Sequence, residues 1–160
     1  MHFLKTYRSD NYNLRPSKIS HIILHYTELP NIKESIKRLC DTEIEVSAHY
    51  VIDYNGDIYE LVEPKHRAWH AGVSCWEGIS NVNDYSIGIE LQNTGIKDDF
   101  KEAYPLIQME SLVRLLTYLS TEFNIPVANV IGHCHIAPDR KIDPGPHFNW
   151  AWLKAQGFGQ

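Results

Sequence analysis

The sequence predicts a single α/β domain on three observations. Short apolar runs of strand length lie at 19–26, 86–91 and 130–131, one long helical stripe follows Pro105, and two β-rich runs flank Asn55-Gly56. At 160 residues, folding takes roughly 68 to 70% of the unfolded chain's surface out of water, so one hydrophobic core suffices.

Residues 19–26, Ile-Ser-His-Ile-Ile-Leu-His-Tyr, are too short for a helix and long enough for a buried strand, with His25 towards its far end. After Pro30, Asn31 can accept from free amide hydrogens at a helix start and Glu34 can reach back, the pattern of a capping box. Ile32, Ile36, Leu39 and Cys40 then share one helical face. Asn55-Gly56 tolerates the positive φ of a tight type I′ turn, which makes 48–62 a hairpin. Ser86 to Leu91 is another strand, interrupted by one acid, Glu90, and an unpaired carboxylate is costly to bury. Pro105 suits a first helical turn; Leu112, Leu115, Leu116, Leu119 and Phe123 recur on one face, and Asn124 with Pro126 ends the helix. Val130-Ile131 leads as a short strand into Gly132-His133, and 149–156 reads as a brief closing helix.

Fifteen Lys and Arg against 20 Asp and Glu give a formal charge of −5, with no basic block to follow a phosphate backbone, so nucleic acid is not an expected partner. No apolar stretch approaches the ~20 residues that cross a bilayer. The first ten residues lack an apolar core and a small-residue cleavage site; a cytoplasmic protein is expected, or one of the periplasm or envelope if a leader has been removed. Cys40, Cys75 and Cys134 have no Cys-x-x-Cys spacing, which argues against a disulfide framework and leaves room for one bridge at most. A monomer is expected.

His25 and His133 each end a predicted strand, and Asp143 follows in a loop stiffened by Pro138, Pro144 and Pro146. Strand ends and rigid loops let side chains converge. Two imidazoles and one carboxylate suit Zn2+, and three protein ligands leave a fourth tetrahedral position for water, the arrangement of a catalytic ion. Cys134 between two histidines also admits a thiol-protease reading, but on an extended chain His133 and Cys134 point to opposite sides.

Four segments together carry a family resemblance: 20–26 (Ser-His-Ile-Ile-Leu-His-Tyr), 68–72 (Ala-Trp-His-Ala-Gly), 86–91 (Ser-Ile-Gly-Ile-Glu-Leu) and 132–146, which runs from Gly-His-Cys-His to Asp-Pro-Gly-Pro. In this order the chain resembles the type 2 N-acetylmuramoyl-L-alanine amidases, most of all their AmpD and AmiD members, with the core of the likeness at about 19–153 and one catalytic domain over 1–160. The resemblance implies a central mixed sheet of five or six strands flanked by helices, and one zinc ion on His25, His133 and Asp143 at the floor of a groove. It implies Glu90 as general base and acid and Lys141 as the cation beside the developing oxyanion. The substrate it implies is peptidoglycan or a muropeptide, cut at the lactyl-L-alanine amide.

His70, Ala71, Asn93 and His49 are expected to line the substrate groove, with partly buried imidazoles supporting the sheet as the other reading of His49 and His70. Trp69 and Trp76 are expected as groove walls or as core, with core packing the favoured reading of Trp69. The family pattern has Ser or Ala and then Asp after its second histidine ligand; here stand Cys134 and His135, and His135 is expected either to hydrogen-bond a ligand or to make a structural hydrogen bond. The alternative function is a non-catalytic peptidoglycan-binding module of the same fold. Such a module has no need of all three ligands together with Glu90 and Lys141, and this sequence has every one.

Overall fold

The computed structural model describes residues 1–97 and 100–159; Asp98, Asp99 and Gln160 lie outside the described residues. In chain order the elements are β1 (Tyr12–Leu14), β2 (His21–Tyr26), α1 (Ile32–Cys40), β3 (Tyr50–Ile52), β4 (Ile58–Glu60), β5 (His66–Ala68), β6 (Cys75–Trp76) and β7 (Ile79–Ser80). There follow β8 (Ser86–Leu91), β9 (Ile96–Lys97), β10 (Phe100–Lys101), α2 (Leu106–Phe123), β11 (Val130–Gly132), α3 (His133–Ile136) and α4 (Trp150–Ala155). The α/β class holds. The central sheet has five strands in the order β11-β2-β8-β3-β4, parallel at β11-β2, β2-β8 and β8-β3 and antiparallel at β3-β4, hence mixed.

Alternation along each strand divides the sheet into two faces. Ile22 and Leu24 of β2, Ile87, Ile89 and Leu91 of β8 and Tyr50 and Ile52 of β3 join Leu112, Leu115, Leu116 and Leu119 of α2 in the largest core cluster. On the opposite face, Val51 packs with Ile36 and Leu39 of α1, and Ile23 packs with Ala71, Val82 and Ile136. Burial on both faces explains why the parallel strands read as continuous apolar runs.

The local signals resolve with two adjustments. The Asn31 side chain caps α1 by accepting from the Glu34 N–H at 3.1 Å, while the reciprocal Glu34 side-chain bond is not made among the described residues. The hairpin at Asn55-Gly56 forms, but its turn is longer than the type I′ expected. The Gly56 N–H donates to the Asp53 carbonyl at 2.9 Å and the Asp53 N–H to the Asp57 carbonyl at 2.9 Å, and only Gly56 takes positive φ, at 86°. That is a three-residue loop with a glycine bulge, which keeps the strand twist without asking Asn55 for a left-handed backbone. Helix α2 runs from Pro105 to a left-handed Asn124, and Asn149 caps α4 by accepting from the Trp152 N–H at 2.9 Å. No helix is long and apolar enough to cross a membrane among the described residues. The three cysteines are free.

Two short pairings, β1 with β5 and β6 with β7, carry no sequence pattern, since strands of two or three residues are below the length at which periodicity registers. Residues 133–136, placed in extended chain by the sequence reading, turn as α3 instead. Successive residues there diverge by the helical step rather than alternating, so the argument that set His133 apart from Cys134 changes its basis.

Leu116 is fully buried between α2 and the sheet. Leu116→Ala is expected to lower stability by about 2–5 kcal/mol, read as a shift of the urea midpoint with an unchanged slope.

Candidate metal centre

The parallel register assembles the site. His25 on β2 lies directly opposite Glu90 on β8, and Leu24 lies opposite Gly132 at the end of β11, so the chain delivers His133 beside His25 as soon as β11 ends. The carboxyl ends of parallel strands are where open α/β sheets place their ligands. Asp143 is brought back to this edge by its own backbone, whose carbonyl accepts from the Cys134 N–H at 2.9 Å.

His25 Nδ1, His133 Nδ1 and Asp143 Oδ2 form a triangle 3.0 Å on each side. All three residues are buried, with exposures of 2%, 3% and 6%. Ligand atoms 2.0–2.1 Å from a tetrahedral zinc stand roughly 3.3 Å apart, close to this spacing. Hydrogen bonding alone leaves the triangle unbalanced. His133 Nε2 donates to the Ala71 carbonyl at 3.0 Å, so the neutral ring presents a bare lone pair at Nδ1. That lone pair faces the Asp143 Oδ2 oxygen at 3.0 Å. Two lone-pair donors 3.0 Å apart repel unless a cation lies between them, and the donor set fits a zinc ion there.

A cleft of about 480 Å³ opens over the triangle and is lined by His25, His133, Asp143, Glu90, His70 and Lys141, among others. Glu90 Oε2 is buried with no hydrogen-bond partner among the described residues. Burial first, then the Asp143 charge, pushes the Glu90 carboxyl well above its ordinary range, while Lys141 pulls it down. A carboxyl whose proton affinity is raised, with one oxygen unclaimed, is suited to general acid–base work. Lys141 brings a cation to the same cleft.

The other expected residues divide. His70 lines the cleft, yet both ring nitrogens face protein groups, His25 Nε2 at 3.1 Å and Ser86 Oγ at 3.2 Å. Ala71 is fully buried and offers its carbonyl to His133. The groove role expected of His49 and Asn93 is corrected. His49 is fully buried, accepts from the Gly88 N–H at 2.9 Å and donates from Nε2 to the His66 carbonyl at 3.1 Å. Asn93, 2% exposed, accepts from the Gly95 N–H at 2.9 Å and donates to the Glu102 carbonyl at 3.2 Å, which organises its own loop. His135 touches none of the triangle. Its Nδ1 accepts from the Gly132 N–H at 3.0 Å, and its ring lies between Trp76 and Trp150. Trp69, expected in the core, lines the cleft.

Sequence reasoning missed Arg140, which donates to the carbonyls of Ala71 at 2.9 Å and Val73 at 2.7 Å and clamps the 69–73 loop over the site. It also missed Gly88: a Cβ there would overlap the His70 ring, so the bare backbone of β8 makes the ring's seat. A glycine inside an apolar strand was the available signal.

With this geometry in place, a family model described as N-acetylmuramoyl-L-alanine amidase is found to match residues 15–146. The chain belongs to the N-acetylmuramoyl-L-alanine amidase family. The family expected from the four sequence segments is therefore the one found. The chain is 37% identical over 153 residues to the N-acetylmuramoyl-L-alanine amidase AmiD of Escherichia coli strain K12, covering 89% of this chain and 54% of that one. It is 44% identical over 112 residues to the 1,6-anhydro-N-acetylmuramyl-L-alanine amidase AmpD of Citrobacter freundii, covering 70% and 57%. The chain thus spans little more than half the length of these relatives. Among solved structures, the complex of E. coli AmiD with anhydro-N-acetylmuramic acid-L-Ala-D-gamma-Glu-L-Lys superimposes with a TM-score of 0.81 at 35% identity, covering 92% of this chain and 62% of that one.

Three buried imidazoles at this amidase-family site resist protonation. Burial lowers His25 to about 4 and His49 to about 3, and carries His70 well below its ordinary range. Their folded values lie below the unfolded value of roughly 6.5, so in the window below 6.5 the unfolded chain binds more protons and stability falls with pH. Glu90, shifted upward, contributes with the opposite sign, leaving the imidazoles to set the net slope. Chelator-treated protein is expected to lose stability steadily from pH 6.5 to 4, by up to about 1.4 kcal/mol per pH unit for each imidazole. Urea midpoints that stay level across this range would contradict the burial of neutral rings.

Proposed function

We propose that residues 1–160 form one catalytic domain of a zinc-dependent N-acetylmuramoyl-L-alanine amidase that hydrolyses the lactyl-L-alanine amide of muropeptides or peptidoglycan. The observation that carries this reading is the convergence of three ligand atoms beside a buried carboxylate oxygen with no partner, on the floor of one cleft. His25, His133 and Asp143 would hold the ion. When bound, zinc supplies Lewis acidity that polarises an amide carbonyl and makes water a stronger acid at the cleft floor.

Glu90 takes the proton from the attacking water and returns it to the leaving amine of L-alanine. Its raised affinity for protons suits the second half of that task as well as the first. Lys141 places positive charge where the carbonyl oxygen becomes anionic. The 69–73 loop, clamped by Arg140, closes one side of the cleft and limits bulk water around the reacting amide. The E. coli AmiD complex holds an anhydromuramyl peptide, which supports a muropeptide as the ligand of this cleft.

Purified protein given an anhydromuropeptide is expected to release free stem peptide, detected by chromatography and mass, and a chelator is expected to abolish the release. Glu90→Gln should keep its zinc and lose roughly 10²–10⁴-fold in kcat, and Lys141→Met roughly 10²–10³-fold. Binding of the muropeptide with no release of peptide in the zinc-loaded protein would instead identify a binding module. Full activity in Glu90→Gln would remove the proposed base.

A further inference from the structure

We infer that His70, seated by Ser86 and Asn83, is a positioning residue that fixes the tautomer of His25 and turns its Nδ1 lone pair towards the metal; this rests on reading His25, His133 and Asp143 as the metal site. Hydrogen positions follow by elimination along the chain of contacts. The Ser86 hydroxyl donates to the Val82 carbonyl at 2.6 Å, and a carbonyl has no proton to return, so the only hydrogen on Ser86 is used. His70 Nε2, 3.2 Å from Ser86 Oγ, must therefore be the donor in that contact. A neutral ring protonated at Nε2 has a lone pair at Nδ1, and this faces His25 Nε2 at 3.1 Å. His25 Nε2 then donates. The lone pair of His25 is left at Nδ1, the atom that meets His133 and Asp143.

Asn83 supplies a second arm of the same device. Its Oδ1 accepts from the His70 N–H at 3.1 Å and the Ala71 N–H at 2.8 Å, and the residue is 6% exposed. One buried amide thus pins the dipeptide His70-Ala71, whose side chain receives His25 and whose carbonyl receives His133 at 3.0 Å. Both imidazole ligands are oriented from a single point. Packing against Gly88 keeps the His70 ring from turning away, since no side chain stands between the ring and the β8 backbone.

The contacts also argue against His70 serving mainly to bind substrate: it borders the cleft, but neither nitrogen is free. Partners that receive the second N–H of a metal-bound imidazole typically contribute roughly 10–100-fold to metal affinity.

The test compares His70→Phe, which keeps a ring and has no acceptor, with His70→Asn, whose Oδ1 replaces the Nδ1 acceptor. Zinc affinity is measured by competition with a chromophoric chelator, and the His25 tautomer by nitrogen-15 imidazole spectra of the zinc-free protein. Wild type and His70→Asn are expected to show His25 protonated at Nε2 alone. His70→Phe is expected to show mixed tautomers and zinc binding weaker by roughly 10–100-fold. Should His70→Phe not fold, Ser86→Ala decides, because it frees the His70 tautomer while leaving the ring seated; mixed His25 tautomers are expected there too. A wild type that takes up no zinc overturns the ligand assignment itself. Zinc binding by wild type, with the same affinity and the same His25 tautomer in the folded variants, overturns the positioning role alone.

Discussion

Parallel pairing of β2 with β8 and β11 is the constraint on which the rest of the site depends. Because side chains alternate, a slip of one residue would exchange the apolar face that packs on α2 for the face that carries the chemistry. Ile22, Leu24, Ile87 and Ile89 on one side therefore hold the register that sets His25 beside Glu90 on the other. The other face adds two smaller clusters, around Ile23 and Val51. Gly88 has no side chain and Ser86 a small one, and both make room for the His70 ring rather than for core packing.

Concentrating His25, His70, His49 and His133 with Asp143 and Glu90 under one sheet edge carries an electrostatic cost that the fold meets in two ways. His70 is held by Ser86 and His25, and His49 by the Gly88 N–H with the Arg15 guanidinium beside its Nε2; burial and, at His49, that positive charge keep both rings uncharged. Within the triangle, Asp143 and the two Nδ1 atoms form a negative pocket of matched size, and a cation would relieve their mutual repulsion. The buried carboxylate thus counts against the metal-free chain, and a bound cation would couple its uptake to stability.

Much of this was readable in the sequence, and what was not has physical reasons. The three long signals, at 19–26, 86–91 and 105–124, were each long enough for periodicity to show, and they became β2, β8 and α2. His25 stands near the end of β2, His133 follows the short strand β11, and Glu90 breaks the apolar pattern of β8. His49 and Asn93 went astray for the opposite reason: a polar residue in a strand or loop looks the same whether its partner is a ligand or the backbone of a neighbour far away in the chain. His135 was judged from the site it follows in sequence, but the turn into α3 rotates it towards Trp76 and Trp150. Arg140 and Asn83 act on carbonyls and amides of residues 70–73, and a sequence gives no sign of such bonds.

The choice between an enzyme and a binding module of the same fold narrows to Glu90. A module that only holds a sugar-peptide gains nothing from a half-buried carboxyl whose Oε2 is buried with no hydrogen-bond partner among the described residues, since an unpaired buried polar group costs roughly 1–3 kcal/mol or more. An apolar residue would continue β8 between Ile89 and Leu91 at lower cost, and three other donors 3.0 Å apart already suit a cation without it. What remains is a carboxyl whose affinity for a proton is raised by burial and by Asp143, beside three donors that suit a cation and at the edge of a cleft. Strain of this kind persists in folds where the substrate completes the arrangement, because the missing hydrogen-bond partner arrives with the reaction.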